Sequence, residues 1–217
     1  MPDPIHSTGA NPDLAKIWSE RARAYGARSV LSLRHPEAEF DAVTEFQKKV
    51  LLPLLAGQLH GNEKSVLDFG CGPGRFTGAL SELMPGAMVT GFDICRELVD
   101  LAPRVPRVRF FCSDSETFLQ QNHDTFDLIW ICLVLGGIPD EALAPIGQNL
   151  YQKLNDGGLV FLIEHLADAG GSALWKHRPL NRYCELFPGI ALKKIGTYLD
   201  IDSEVSVVAG RKHAPAV

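Results

Sequence analysis

The chain has 217 residues, 46% of them hydrophobic, with a formal net charge of −5 and a sequence pI near 5.8. This is enough to bury one substantial core with a short extension, and too little for two full domains. The acidic balance excludes a globally basic surface built to neutralise many phosphates, which disfavours nucleic acid as a partner.

Cys71, Cys95, Cys112, Cys132 and Cys184 are odd in number, scattered and never arranged as CxxC. That pattern argues against a disulfide framework and a structural zinc site, and it fits a reducing cytoplasm. The first residues carry neither a basic n-region nor an apolar h-region, and no run of eighteen uncharged apolar residues occurs, so neither export nor a membrane span is expected.

Residues 1–12 are rich in proline and are expected to form a loose tail. Leu14, Ile17, Trp18, Ala22 and Tyr25 then recur at helical intervals, and Phe40, Val43, Val50, Leu51, Leu54 and Leu55 predict a second amphipathic helix with a kink at Pro53. Residues 1–60 thus read as a tail with lid or packing helices, followed by one ligand-binding domain over 61–217.

From residue 64 short β-rich runs alternate with helical stretches, which predicts a mostly parallel sheet covered on both faces. The strand candidates are SVLDF (65–69), MVTGFD (88–93), VRFFCSD (108–114), FDLIWICLVL (126–135) and LVFLIEH (159–165). Helices are expected from Arg75, Cys95, Ser115 and Asp140, and NDGG at 155–158 is expected to turn. KKIGTYLDI and VSVVAGRK are separated only by DSE, too short for a crossover, so they predict an antiparallel hairpin. The expected fold is therefore α/β: a doubly wound, seven-stranded sheet with its last strand antiparallel.

VLDFGCGPGRF (66–76) carries the main chemical signal. A strand, a glycine turn and a helix bring unpaired backbone N–H groups to a ligand, which implies a nucleotide-like molecule. The spacing is Gly70-x-Gly72-x-Gly74 rather than GxGxxG, and Asp68 precedes it. A carboxylate there would cost a diphosphate about 1 to 4 kcal/mol at surface-like dielectric, whereas it attracts a cation. S-adenosylmethionine has no phosphate and carries both an ammonium and a sulfonium. Asp93 closes the next strand at the separation that suits ribose hydroxyls, and Asp114 with Ser115 closes the third, where the adenine edge would lie. Each acid could also be a plain helix cap, but three at successive strand ends share one rim of the sheet.

VLDFGCGPGRFTGAL, VTGFDICRELVDLA, FFCSDSETF, FDLIWICLVLGGIPDEAL and LYQKLNDGGLVFLIEH, in this order, resemble the motifs of class I S-adenosylmethionine-dependent methyltransferases of the small-molecule type. The resemblance covers about residues 64–165, and the closing hairpin matches in pattern only. It implies a cofactor site at Asp68, Gly70, Gly72, Gly74, Asp93, Ile94, Asp114, Ser115 and Ile131, with S-adenosylmethionine as donor. The chain departs from many relatives in having Gly136 and Gly137 where a histidine pair stands. It also lacks the Asn/Asp-Pro-Pro-aromatic tetrapeptide of enzymes that methylate nucleic-acid amino groups.

For the acceptor side, Glu164, His165 and Tyr183 are the candidate catalytic residues, and His165 has a suitable imidazole for a base. Lys176, Arg178, Arg182, Lys193 and Lys194 form a basic cluster that suggests a small acceptor with a phosphate or carboxylate held by Arg178. The stretch WSERARAYGARSV also resembles the covering helices of small-molecule methyltransferases. That likeness puts Arg28 near the donor carboxylate and Trp18 and Tyr25 near the acceptor. The competing readings are a peptide or RNA methyltransferase, a noncatalytic donor-binding module and, last, an NAD-linked oxidoreductase.

Overall fold

The computed structural model describes residues 12–172 and 175–213. The expected tail thus lies outside the described residues, except for Pro12, which opens the first helix. Helices α1 (Pro12–Tyr25) and α2 (Phe40–Ala56, with Pro53 in its last turn) precede the sheet, joined through short 3-10 turns at Gly26–Val30 and Glu37–Glu39. The alternating region follows as β1 (Ser65–Phe69), α3 (Thr77–Leu83), β2 (Met88–Asp93), α4 (Arg96–Val99), β3 (Val108–Cys112), α5 (Ser115–Gln121), β4 (Phe126–Cys132), α6 (Asp140–Lys153) and β5 (Leu154–Glu164). A two-stranded ladder, β6 (Gly171–Ser172) with β7 (Trp175–Lys176), leads to α7 (Leu180–Leu186) and the hairpin β8 (Lys193–Asp200) and β9 (Ser203–Arg211).

The sheet runs β3-β2-β1-β4-β5-β9-β8, parallel from β3 to β5, with β9 antiparallel to both of its neighbours. This is the doubly wound, seven-stranded arrangement expected from the alternation. Its central strands are buried on both faces, so alternate residues feed two cores. Leu67, Phe69, Ile129 and Ile131 enter one with Leu143, Leu150 and Tyr183 from α6 and α7; Val66, Leu128 and Trp130 enter the other with Leu51, Leu55 and Leu80 from α2 and α3. Trp130 is fully buried and lies parallel on Phe161, with ring centroids 5.1 Å apart.

Several boundaries differ from expectation for local reasons. The fourth strand stops at Cys132 instead of Leu135 because Leu133 adopts φ 54° and the N–H groups of Val134 and Leu135 donate to the Glu164 carboxylate, each at 2.7 Å. NDGG begins β5 rather than a separate turn: its register breaks between Phe126 and Leu128, and the Gly157 N–H bonds the Lys212 carbonyl. The third helix starts at Thr77 rather than Arg75, after a turn closed by the Gly74 N–H on the Cys71 carbonyl. The fourth starts at Arg96, with Cys95 as its N-cap. Strand order reverses between β1 and β4, which opens a crevice beyond their C-terminal ends.

Candidate active site

A cavity of about 1080 Å³ occupies that crevice, roofed by α1 and the segment after it. The glycine loop forms its floor. Gly70 has φ 74°, and a Cβ there would stand 2.4 Å from the Val134 side chain, so only glycine lets the loop meet the segment after β4. The N–H groups of Gly70 and Cys71 bond the Phe92 carbonyl, which draws the loop across the end of β2.

Asp68 is 3% exposed and accepts a 2.6 Å hydrogen bond from the Thr77 hydroxyl. Burial pushes its carboxyl up to about 7; the Thr77 bond opposes the shift and nearby Asp93 adds to it. Asp93 accepts from the Gly72 N–H through Oδ2 and from the Cys95 N–H through Oδ1, both at 2.8 Å. Burial raises its pKa too, with those backbone bonds opposing. Each carboxylate oxygen keeps a lone pair for a further donor, so Asp93 can both close the loop and hold a diol. Asp114 caps α5 through Oδ1 on the Thr117 N–H at 2.8 Å, which leaves Oδ2 for a ligand. The bland and the functional readings of these acids are thus compatible.

Among the expected cofactor residues, Asp68, Gly70, Gly72, Asp93, Ile94, Asp114 and Ser115 line the one cavity. Gly74 does not. A Cβ on it would meet Phe110 and Pro103 at 3.0 to 3.3 Å, so it serves packing against β3. Ile131 points into the α6-side core, and Cys132 and Leu133 line the cavity in its place. Arg28 does not line the cavity and donates to the carbonyls of Leu33 and His35, whereas Arg21 lines the cavity and donates to the carbonyls of Ser29 and Leu31. Trp18 lines it as well; Tyr25 is 46% exposed and lies outside the wall.

Arg178 is buried, 4% exposed, and donates to the carbonyls of Leu135 and Ile138 and to Asp140, so it holds the segment after β4 and cannot grip a ligand. Lys176 also pairs with Asp140, Arg182 with Glu185 and Lys194 with Glu204, so much of the basic cluster is neutralised within the protein. Glu164 is wholly buried outside the cavity wall; burial raises its carboxyl to about 7 against the hydrogen bonds of Val134, Leu135 and Gly136. It shapes the wall rather than touching a substrate. Tyr183 is fully buried in the core, and burial pushes its phenol well above the ordinary range.

His165 does line the cavity. Its Nδ1 lies 3.0 Å from the Glu204 carbonyl, which can only accept, so Nδ1 carries the proton and Nε2 keeps a lone pair. The ring stacks on His177 at 4.7 Å between centroids.

Arg75, unmarked by its sequence context, lines the cavity and is held by Thr44 and Gln47 of α2. Asp200, at the end of β8, also lines it and bonds His35 Nε2 at 2.7 Å, while Arg34 pairs with Asp202. At the other end of the roof, Glu97 of α4 accepts from Ser19 at 2.8 Å and from Arg23. The segment over the cavity is therefore tied down on both sides.

Residues 66–158 match the family described as methyltransferase domain. The chain is 32% identical to malonyl-[acyl-carrier protein] O-methyltransferase of Bacillus anthracis over 130 residues, which is 56% of this chain and 47% of the relative. It is 37% identical to trans-aconitate 2-methyltransferase of Variovorax paradoxus over 97 residues, 44% of this chain and 36% of that one. It spans less than half the length of these relatives. The fold is similar to that of magnesium protoporphyrin IX methyltransferase from Synechocystis PCC 6803 with bound SAH, at TM-score 0.71 and 15% identity, covering 94% of this chain and all of the other.

Proposed function

We propose that this chain is a class I S-adenosylmethionine-dependent methyltransferase and that it transfers a methyl group to an oxygen or nitrogen of a small-molecule acceptor. The observation that carries this reading is the set of acids at three successive strand ends, Asp68, Asp93 and Asp114, facing one cavity beside the Gly70–Gly72 cradle. A diphosphate would be repelled by that set, whereas a molecule with two cationic centres, a ribose and an adenine meets a matching partner at each. In this assignment Asp68 faces the cationic end, Asp93 takes the ribose hydroxyls, and Asp114 Oδ2 takes the adenine amino group. Arg21, rather than Arg28, faces the donor carboxylate.

S-adenosylmethionine supplies an electrophilic methyl carbon on a positively charged sulfur. The acceptor atom bonds that carbon while the electron pair of the breaking carbon–sulfur bond stays on sulfur, and His165 Nε2 receives the acceptor's proton. The rest of the chain's contribution is alignment and exclusion of water. Holding the two reactants at near-attack distance removes most of the entropic barrier, and the roof of residues 12–39 keeps the charges in a low dielectric. Residues 12–39 thus act as a cover for the domain that follows, while α2 packs on its sheet. No helix among the described residues is long and apolar enough to cross a membrane, and the five unpaired cysteines suit a reducing cytoplasm.

Calorimetry with S-adenosylhomocysteine and NAD tests the donor. Heat with the former and none with the latter is expected, and the reverse would remove the proposal. A metabolite extract supplied with isotopically labelled donor identifies the acceptor. With that acceptor, His165→Gln is expected to lower kcat by about 100-fold or more at unchanged donor affinity; an unchanged rate would show that no side-chain base is used.

A further inference from the structure

The wall of the cavity beyond the glycine loop has a distinct chemistry. Gly136 and Gly137, at the turn after β4, are covered by an indole. A Cβ on Gly136 would stand 2.5 Å from Cε2 and 2.6 Å from Nε1 of Trp175, and one on Gly137 would stand 3.2 Å from Trp175 Cζ3. The same Gly137 position is 3.9 Å from Cζ2 of Trp18, on the roof helix α1. Two tryptophans, one from the roof and one from the small β6–β7 ladder, therefore converge on a glycine pair, and any side chain there would displace Trp175. Both rings are partly exposed and both line the cavity, with Leu14, Ile17, Ile138 and Pro139 beside them.

Charge points the same way. The described cavity wall carries carboxyl groups at Asp68, Asp93, Asp114, Glu116, Glu141 and Asp200, and guanidinium groups only at Arg21 and Arg75. Both of those are turned to acceptors within the protein, and the basic residues of the following segment are engaged by Asp140 and Glu185. With Arg21 assigned to the donor carboxylate and Arg75 held by Thr44 and Gln47, a phosphate or carboxylate on the acceptor would meet more acids than cations on this wall.

Resting on the methyltransferase reading above, we infer that the acceptor is a planar aromatic molecule without an anionic group, gripped between Trp18 and Trp175 over the Gly136–Gly137 pair. A flat ring packs well against indoles, and the glycine pair lets the Trp175 ring lie close on the turn after β4 instead of being pushed into the cavity. A phenolic hydroxyl also suits the available base, since its pKa of about 10 lies within reach of an imidazole. The phenol proton goes to His165 Nε2 as its oxygen takes the methyl group.

The three tryptophans, Trp18, Trp130 and Trp175, provide a direct readout. Nitrogen-15 labelled indole signals, assigned by single Trp→Phe variants, are followed in full-length protein with and without S-adenosylhomocysteine. The probes are 2-naphthol as the planar phenol and citrate as the anion. The Trp18 and Trp175 signals are expected to move saturably with 2-naphthol, with Trp130 unmoved and citrate without effect. Gly136→Ala, which pushes on Trp175, is expected to weaken 2-naphthol about tenfold while S-adenosylhomocysteine affinity stays the same; Trp175→Leu serves if that variant is unstable. Saturable movement with citrate, or none with 2-naphthol, overturns the aromatic assignment. Failure of S-adenosylhomocysteine to bind overturns the methyltransferase reading instead, and the 2-naphthol titration without it still reports on the tryptophan pair.

Discussion

On the proposed assignment Asp68 is a buried carboxyl that faces a cation, and its proton carries the signature of that role. Asp68 sits near 7 in the folded protein against an ordinary value of 3.8. Between those values the folded state holds a proton that the unfolded chain has released, so Asp68 lowers stability progressively as pH rises from about 4 to 7, and no further above that. A positively charged ligand favours the ionised form, which gives binding the opposite slope. S-adenosylmethionine affinity is therefore expected to increase from pH 6 to pH 8, by at most about tenfold per unit, with a proton released on binding near pH 7. Calorimetry in two buffers of different ionisation enthalpy measures both. Asp68→Asn, which keeps the shape and can still accept from Thr77 Oγ1, should weaken binding and flatten the profile; an unchanged profile would assign the proton to Glu164 or Asp93.

At the scale of elements, what could be read in advance divides by the distance over which the determining contacts act. β1, β2 and the closing hairpin were legible because their apolar runs and turn residues are local, and Asp68, Asp93 and Asp114 were legible because a strand end fixes which rim they share. The end of β4 was not, since it is set by Glu164, thirty positions away, which captures the N–H groups of Val134 and Leu135. The role of Arg178 is hidden from the sequence for the same reason: its partner Asp140 and the carbonyls it holds lie 38 to 43 residues earlier. Arg21 and Trp175 carry no motif at all, and only the packing of α1 and the β6–β7 ladder brings them to the cavity. α1 is held to α4 by Glu97, which takes both Ser19 and Arg23, and by Ala22 packed with Cys95 and Leu98. Glu97→Ala is thus expected to speed hydrogen exchange across residues 14–35 and to weaken S-adenosylhomocysteine several-fold, with exchange in β1, β4 and β5 unchanged. Protection of residues 14–35 equal to that of the unaltered chain would mean that the roof is held by its apolar contacts alone.

At the scale of the whole molecule, the winding of the chain joins these parts. Strand order reverses between β1 and β4, so the crossovers leave on opposite faces and the loops that bear the acids gather at one crevice, while the two cores behind them keep the strand ends fixed. The crevice is then closed by an element outside the alternating pattern, tied to α4 through Glu97 at one side and to the hairpin through His35–Asp200 and Arg34–Asp202 at the other. A ligand seated between sheet and roof contacts both, so it should stabilise the molecule as a unit. At a concentration 100 times its Kd, S-adenosylhomocysteine adds about 2.7 kcal/mol to the folded state. For a chain of this length that corresponds to a rise in Tm of about 5 to 10 °C. A thermal melt measures the rise, and limited proteolysis at Arg28 and Arg34 measures whether the roof takes part. A higher Tm with unchanged cleavage there would mean that the donor is held by the sheet rim alone, and the closed cavity would then be a feature of packing rather than of binding.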